Sequence, residues 1–164
     1  MSVIASFGAT STGRRSNREL DDVMTIMEDA FDPRFGEGWS RSQCDGMLGD
    51  AHSWITLVTL DDEPAGFAMA RMIVDEAELL LIAVRSAFRG RGIGRDLLRQ
   101  VQDAAAERGA KRLHLEVRDG NAAAKLYQAA GFEKIGQRRD YYSGEDGERF
   151  DAITLALQLN PVSG

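Results

Sequence analysis

Apolar residues near the start of the chain repeat at helical spacing. Leu20, Val23, Met24, Met27 and Phe31 recur three and four positions apart, the single buried stripe of an amphipathic helix. Ser16-x-x-Glu19 ahead of them has the form of a capping box, so a helix is expected from Ser16 to about Phe31. Residues 32–38 hold a proline and two glycines and read as a loop. Ser40-x-x-Gln43 repeats the capping pattern and opens a second, shorter helix to about Leu48.

The period then changes. Residues 54–60 and 65–74 are extended in character on either side of Asp61-Asp62-Glu63-Pro64, which predicts a hairpin. Residues 77–84 form a nearly continuous apolar run, the pattern of a central strand buried on both faces. Helical spacing returns with Ile93, Leu97, Leu98, Val101 and Ala105, and Gly109 is placed to end that helix in a left-handed conformation. Residues 111–117 alternate, with Leu113, Leu115 and Val117 on one face and His114 and Glu116 on the other. A short helix over 122–130, closed by Gly131, and two strands at 132–139 and 149–159 complete an α/β (α+β mixed) order with one β-α-β crossover in its second half. Residues 1–16 carry no helical period and read as a flexible arm, with a short strand at 3–7, before a single domain over 17–160.

Composition narrows the chemistry. With 164 residues and 43% apolar content the chain can build one core, and one cysteine, Cys44, excludes an internal disulfide. No Cys/His spacing around His52 or His114 suits a metal, so none is expected. No apolar run approaches the roughly 20 residues that span a bilayer, and the N-terminus lacks a signal-peptide core, which predicts a cytoplasmic protein with no membrane partner. A net charge of −6 argues against nucleic acid as a partner. Arg85, Arg89, Arg91, Arg95 and Arg99 nevertheless cluster locally, which suits either a small anionic ligand or a plain solvated face.

Gly90, Gly92 and Gly94 lie between the central strand and the following helix. There, unpaired backbone N–H groups and the helix dipole favour a phosphate. A dinucleotide fingerprint fails, because Arg95 or Leu97 stands where the third glycine belongs. A P-loop fails because no lysine follows these glycines, and no G-x-S-x-G elbow supports a serine hydrolase.

What fits is Arg89-x-x-Gly92-x-Gly94, which resembles the coenzyme A pyrophosphate loop of the GNAT acetyltransferase superfamily. Further segments resemble, within it, the bacterial ribosomal-protein-alanine N-acetyltransferases. They are Ile82-Ala83-Val84, Leu115-Glu116-Val117-Arg118, Asn121-Ala122-Ala123-Ala124, Leu126-Tyr127, Gly131-Phe132, and Arg138-Arg139-x-Tyr141-Tyr142 followed by Asp151-Ala152. The resemblance implies a GNAT-like fold, a central mixed twisted sheet of about six or seven strands flanked by about four helices. It implies acetyl-coenzyme A as cosubstrate and an amine as acceptor. By the same resemblance the pyrophosphate sits on Arg89, Gly90, Arg91, Gly92, Ile93, Gly94 and Arg95, the pantetheine arm lies along Ile82, Ala83 and Val84, and Asn121 is a cofactor contact.

Glu116 corresponds to the family's base and Tyr127 to its acid. Glu78 is a competing base or an amine-binding residue, Tyr141 and Tyr142 match the element that covers a peptide N-terminus, and Trp39 either lines the acceptor groove or anchors its helix. Read without the resemblance, Glu116 is equally an exposed strand carboxylate paired with Arg118 or Lys111, and Tyr127 a packing residue. An α-amine titrates near pH ~8 and a lysine near ~10.4, which favours a protein or peptide N-terminus, such as that of a ribosomal protein, as the acceptor of a carboxylate base. A small amine as acceptor, or a non-catalytic acyl-coenzyme A binding module, remain as alternatives, and a homodimer is a common assembly of the family.

Overall fold

The computed structural model describes residues 17–160, so the Ser16 cap and the strand expected at 3–7 lie outside the described residues. Two helices come first, α1 (Asn17–Ala30) and α2 (Arg41–Leu48). The α2 capping box forms in full: Ser40 Oγ accepts from Gln43 N–H (3.2 Å) and Gln43 Oε1 from Ser40 N–H (2.8 Å). Three strands follow, β1 (Ser53–Leu60), β2 (Glu63–Ile73) and β3 (Glu76–Val84). Then come α3 (Ile93–Glu107), β4 (Arg112–Arg118), α4 (Ala124–Ala129), β5 (Glu133–Ser143) and β6 (Arg149–Gln158). Gly109 ends the α3 region at φ 86°, the left-handed conformation that suits glycine.

The six strands form one mixed sheet in the order β1-β2-β3-β4-β6-β5, antiparallel throughout except for β3 and β4, which are joined through α3 by the expected crossover. α1 and α2 cover one face, burying Val23, Ile26, Met27 and Cys44 against Ile55, Phe67, Met69, Leu81 and Ala83. On the opposite face, Leu97, Leu98 and Val101 of α3 pack with Val58, Ala68, Leu79, Leu113 and Leu115, and Tyr127 and Phe132 extend that layer. Among the described residues no helix is long and apolar enough to cross a membrane.

The central strand departs from its sequence pattern. β3 was expected to be buried on both faces, but Leu80, Ile82 and Val84 are only half-buried while Ala77, Leu79, Leu81 and Ala83 are buried. These three line a cleft in the sheet, and a bulge at the same place shifts the strand's register. Met69 pairs with Leu81 and Ala70 with Leu79, leaving Leu80 as the extra residue, so Ala77 and Leu79 join the α3 layer and Leu81 and Ala83 the α1 layer. α4 is shorter than expected because Asn121 Oδ1 accepts from Ala123 N–H (2.9 Å), a turn that delays the helix. β5 is longer, running on through Tyr141 and Tyr142. An irregularity between Arg138 and Tyr142, with Asp140 at φ 53°, carries the strand past a polar stretch that has no alternation to betray it.

Leu97 is fully buried between α3 and the sheet. Its replacement by alanine is expected to cost about 2–5 kcal/mol, read as a lower urea midpoint with an unchanged slope.

Candidate active site

β3 and β4 pair only from Glu76 and Arg112 to Leu79 and Leu115, and beyond that point no pairing joins them. The edge of β3 at Leu80–Val84 that faces β4 is thereby left without a strand partner, and a cleft opens in the middle of the sheet. Two cavities fill it. The larger, about 810 Å³, is lined by Ile82, Ala83, Val84 and the glycine turn; the smaller, about 130 Å³, by Glu78, Leu115 and Glu116. Phe31, Glu37, Ile82, Asn121 and Ala123 line both and form the waist between them.

At the larger cavity, β3 leads through a short turn into α3. Gly90 (φ 78°) and Gly92 (φ 79°) are left-handed, and no side chain caps the helix, whose first residues Ile93 and Gly94 line the cavity. Asp29 at the end of α1 braces this turn: its carboxylate accepts from Ser86 N–H (2.6 Å), a bond that holds the carboxyl below its usual range. Among the residues expected to hold a cofactor, Ile82, Ala83, Val84, Arg89, Gly90, Gly92, Ile93, Gly94 and Asn121 line the cavity. Arg91 and Arg95 do not. Both are exposed, Arg91 lying 5.5 Å over the Phe88 ring, and the Arg95 guanidinium folds back toward Gly92. Arg85 bonds the Pro64 carbonyl (3.1 Å) and Arg99 pairs with Asp96 (3.4 Å), so the basic cluster seen in sequence is not one anion cage.

The smaller cavity gathers Glu116, Tyr127, Glu78, Tyr141, Tyr142 and Trp39, all of the residues expected to serve catalysis or the acceptor. Glu116 stands on the face of β4 opposite Leu115, whereas Tyr127 belongs to the layer beneath. The gap between the strands lets both reach one space. Glu116 is neither exposed nor paired with Arg118 or Lys111. Its Oε1 forms an ion pair with Arg138 Nε (3.0 Å) and its Oε2 accepts from the Thr154 hydroxyl (2.6 Å), while Lys111 pairs with Asp75. Glu78 takes two N–H bonds from Arg71 (3.2 and 3.0 Å), and His114 lies 3.8 Å from it. Burial, and then the charge of Glu37, push the Tyr127 phenol well above the tyrosine range; Tyr142, whose hydroxyl donates to the Glu116 backbone carbonyl (3.2 Å), is raised for the same reasons. The Tyr127 hydroxyl carries no hydrogen bond to another described residue and stays protonated at any ordinary pH.

The comparisons with known proteins follow the same outline. A family model described as "Acetyltransferase (GNAT) family" matches residues 20–132, a span that takes in the glycine turn, Glu116 and Tyr127. The chain belongs to that family. As a GNAT member it is an acyltransferase, an N-acetyltransferase whose cosubstrate is acetyl-coenzyme A. Over 123 residues it is 42% identical to the ribosomal protein bS18-alanine N-acetyltransferase of Salmonella typhimurium, which is 74% of this chain and 82% of that protein. The counterpart from Escherichia coli K12 matches with the same identity and coverage. The crystal structure of the ribosomal-protein-S18-alanine N-acetyltransferase from Escherichia coli superposes with a TM-score of 0.80 at 33% identity, covering 100% of this chain and 97% of that one. The GNAT fold expected from sequence is the one observed, with six strands where six or seven were expected and four helices around them.

Acetyl-coenzyme A fits what this GNAT chain offers. The free edge of β3 can bond an extended amide-bearing arm as another strand would, and the uncapped N-terminus of α3 suits a pyrophosphate.

Sequence reasoning missed Glu37. From the loop after α1 it accepts from Arg118 Nε (2.9 Å) and Asn121 Nδ2 (2.6 Å), tying that loop to the far wall of the cleft. Arg118 in turn lies 3.8 Å over the Phe35 ring, which meets Phe150 edge-on at 5.3 Å. Gly36 packs directly on the Ser143 carbonyl and Gly144 on that of Arg34, so a side chain at either glycine would part the two loops that roof the site. The one trace of this in sequence is a charged residue set between Gly36 and Gly38. Arg138 and Thr154 were missed as well, since only strand register brings them to Glu116.

Two outcomes follow from these contacts. Glu37→Ala strands the Arg118 guanidinium without its partner and should cost about 2–3 kcal/mol in urea denaturation. Burial pushes the Cys44 thiol up to about 11, so at pH 8 a thiol reagent should leave the native protein unlabelled for hours and label it at once in denaturant.

Proposed function

We propose that this N-acetyltransferase acetylates the α-amine of a protein or peptide N-terminus by direct attack, with Glu116 as base and Tyr127 as acid. The observation that carries the reading is the two-part cleft. The glycine turn and the free edge of β3 lie on one side of the Ile82 waist, and Glu116 and Tyr127 on the other. Relatives at 42% identity that are named for acting on the alanine of ribosomal protein bS18 support the choice of acceptor, and work on such a protein belongs to the cytoplasm. Residues 17–160 then act as a single catalytic domain, and acceptor and cosubstrate are its partners.

Acetyl-coenzyme A supplies a thioester whose acyl carbon takes the amine while the sulfur leaves. The chain supplies the rest. Glu116, fixed by Thr154, accepts the ammonium proton directly or through water. A backbone N–H of the unpaired stretch of β3 is free to stabilise charge on the acyl oxygen, and Asn121 positions the waist through Glu37 rather than presenting a free amide. Tyr127, whose hydroxyl no described residue engages, gives its proton to the departing sulfur; burial and Glu37 keep that proton in place until then. Glu78, Tyr141, Tyr142 and Trp39 wall the acceptor side.

A polycationic small amine suits this cavity less well. Glu37 and Glu78 are each matched by a well-set arginine, so the cavity does not offer the several open carboxylates that a polycation would need.

Release of free coenzyme A, followed with a thiol reagent, tests the reading. A peptide with a free N-terminal alanine should turn over, while a panel of small amines turns over at least about tenfold more slowly in kcat/KM. Glu116→Gln and Tyr127→Phe should each lower kcat by roughly 10²–10⁴-fold with acetyl-coenzyme A affinity kept. Full turnover in both variants would remove the assigned roles, and binding of acetyl-coenzyme A without turnover on any acceptor would leave a binding module.

A further inference from the structure

Three carboxylates face the acceptor cavity and each is matched by an arginine, but the three arginines are held very differently. Arg118, the partner of Glu37, has a side chain 14% exposed and is clasped between Phe35 at 3.8 Å and Phe150 at 5.9 Å. Arg71, the partner of Glu78, is 32% exposed and gives two N–H bonds to one oxygen. Arg138, the partner of Glu116, is 63% exposed, reaches Oε1 through Nε alone, and rests otherwise on the exposed ring of Tyr141 at 5.6 Å. Glu116 itself is 11% exposed and anchored at Oε2 by Thr154, so this pair parts only by departure of the arginine.

That asymmetry bears on a chemical conflict. An acceptor amine arrives as an ammonium ion, and the carboxylate that is to receive its proton already faces a guanidinium 3.0 Å away.

We infer that Arg138 is a positioning residue acting through Glu116: it occupies the open side of the carboxylate in the free enzyme and is displaced by the acceptor's ammonium group, so that Glu116 meets the amine in the orientation that Thr154 fixes. The inference rests on the reading of Glu116 as base. A long side chain that is 63% exposed and held to Glu116 at one contact can leave at small cost.

Other charged or titratable groups surround Glu116. Tyr141 and Tyr142 face it from β5, Glu78 from β3, Tyr127 from α4, and Glu37 from the loop after α1. Along β4 it is flanked by Arg118, committed to Glu37, and by His114, which stands 4.0 Å from Glu76 and 3.8 Å from Glu78. Histidine is the side-chain type that titrates near neutrality, and His114 is unchanged in every variant compared below, so its contribution is common to all of them.

The test is steady-state turnover of the full chain with acetyl-coenzyme A and an N-terminal-alanine peptide, in wild type, Arg138→Gln, Arg138→Lys and Glu116→Gln, with KM and kcat separated. In Arg138→Gln the KM for the peptide should fall about threefold with kcat within twofold and the KM for acetyl-coenzyme A unmoved, since no counter-ion has to be displaced. Arg138→Lys should restore the wild-type peptide KM.

A rise in the peptide KM of Arg138→Gln would mean that the guanidinium helps to hold the acceptor and would overturn the displacement. An unchanged peptide KM would show that no counter-ion has to leave and would overturn it as well. If Glu116→Gln keeps wild-type turnover, the reading of Glu116 as base falls and takes the inference with it. If Glu116→Gln is inactive and Arg138→Gln moves nothing, the inference alone falls.

Discussion

Two parallel strands that start in register and then part leave backbone donors and acceptors unmatched at the centre of a sheet, where water is scarce and every such group needs a partner. That is the situation of β3 and β4 beyond Leu79 and Leu115, and the site is arranged around it. The bulge at Leu80 lets β3 leave β4 while keeping its pairing with β2 as far as Val84, and it moves the buried side chains from the α3 layer to the α1 layer at the same step. The strand therefore stays anchored in the core while one edge is freed for an extended ligand. Because β3 ends where the glycine turn begins, the same divergence aligns that edge with the N-terminus of α3.

The gap also solves a problem of access. Glu116 and Tyr127 come from opposite faces of the sheet, and in a continuously paired sheet they would be kept apart by a layer of backbone. Opening the sheet brings a carboxylate from above and a phenol from below into one small space. Glu37 completes the enclosure, since it bridges to Arg118 and Asn121 and its charge helps to keep Tyr127 and Tyr142 protonated. The roof depends on two glycines, Gly36 and Gly144, whose missing side chains let two loops touch through their backbones.

Electrostatics inside the cleft are balanced pair by pair. Each carboxylate has an arginine, which lowers the cost of keeping three acidic groups close together in a half-buried cavity. The pairs differ in how deeply the arginine is set, from Arg118 at 14% exposed to Arg138 at 63%.

Periodicity and local chemistry were enough to read most elements. The α1 stripe from Leu20 to Phe31, the Ser40–Gln43 capping box and the alternation of Leu113, Leu115 and Val117 each act within a few residues, where side-chain spacing alone decides which face is buried. The glycine turn was legible for the same reason, being one contiguous segment with a distinctive backbone requirement at Gly90 and Gly92. What the tertiary structure decided were pairings between residues far apart in the chain. Glu37 with Arg118 and Asn121, and Glu116 with Arg138 and Thr154, depend on strand register and loop packing that leave no periodic trace. The bulge at Leu80 is of this kind: a one-residue offset between two strands is a relation between segments, and the run from Ala77 to Val84 reads alike with or without it. Sequence by itself determined the elements, their order and the chemistry of the turn, because those are local. Only the folded chain decided which charges meet and where the sheet opens, because those are differences between distant segments brought together by packing.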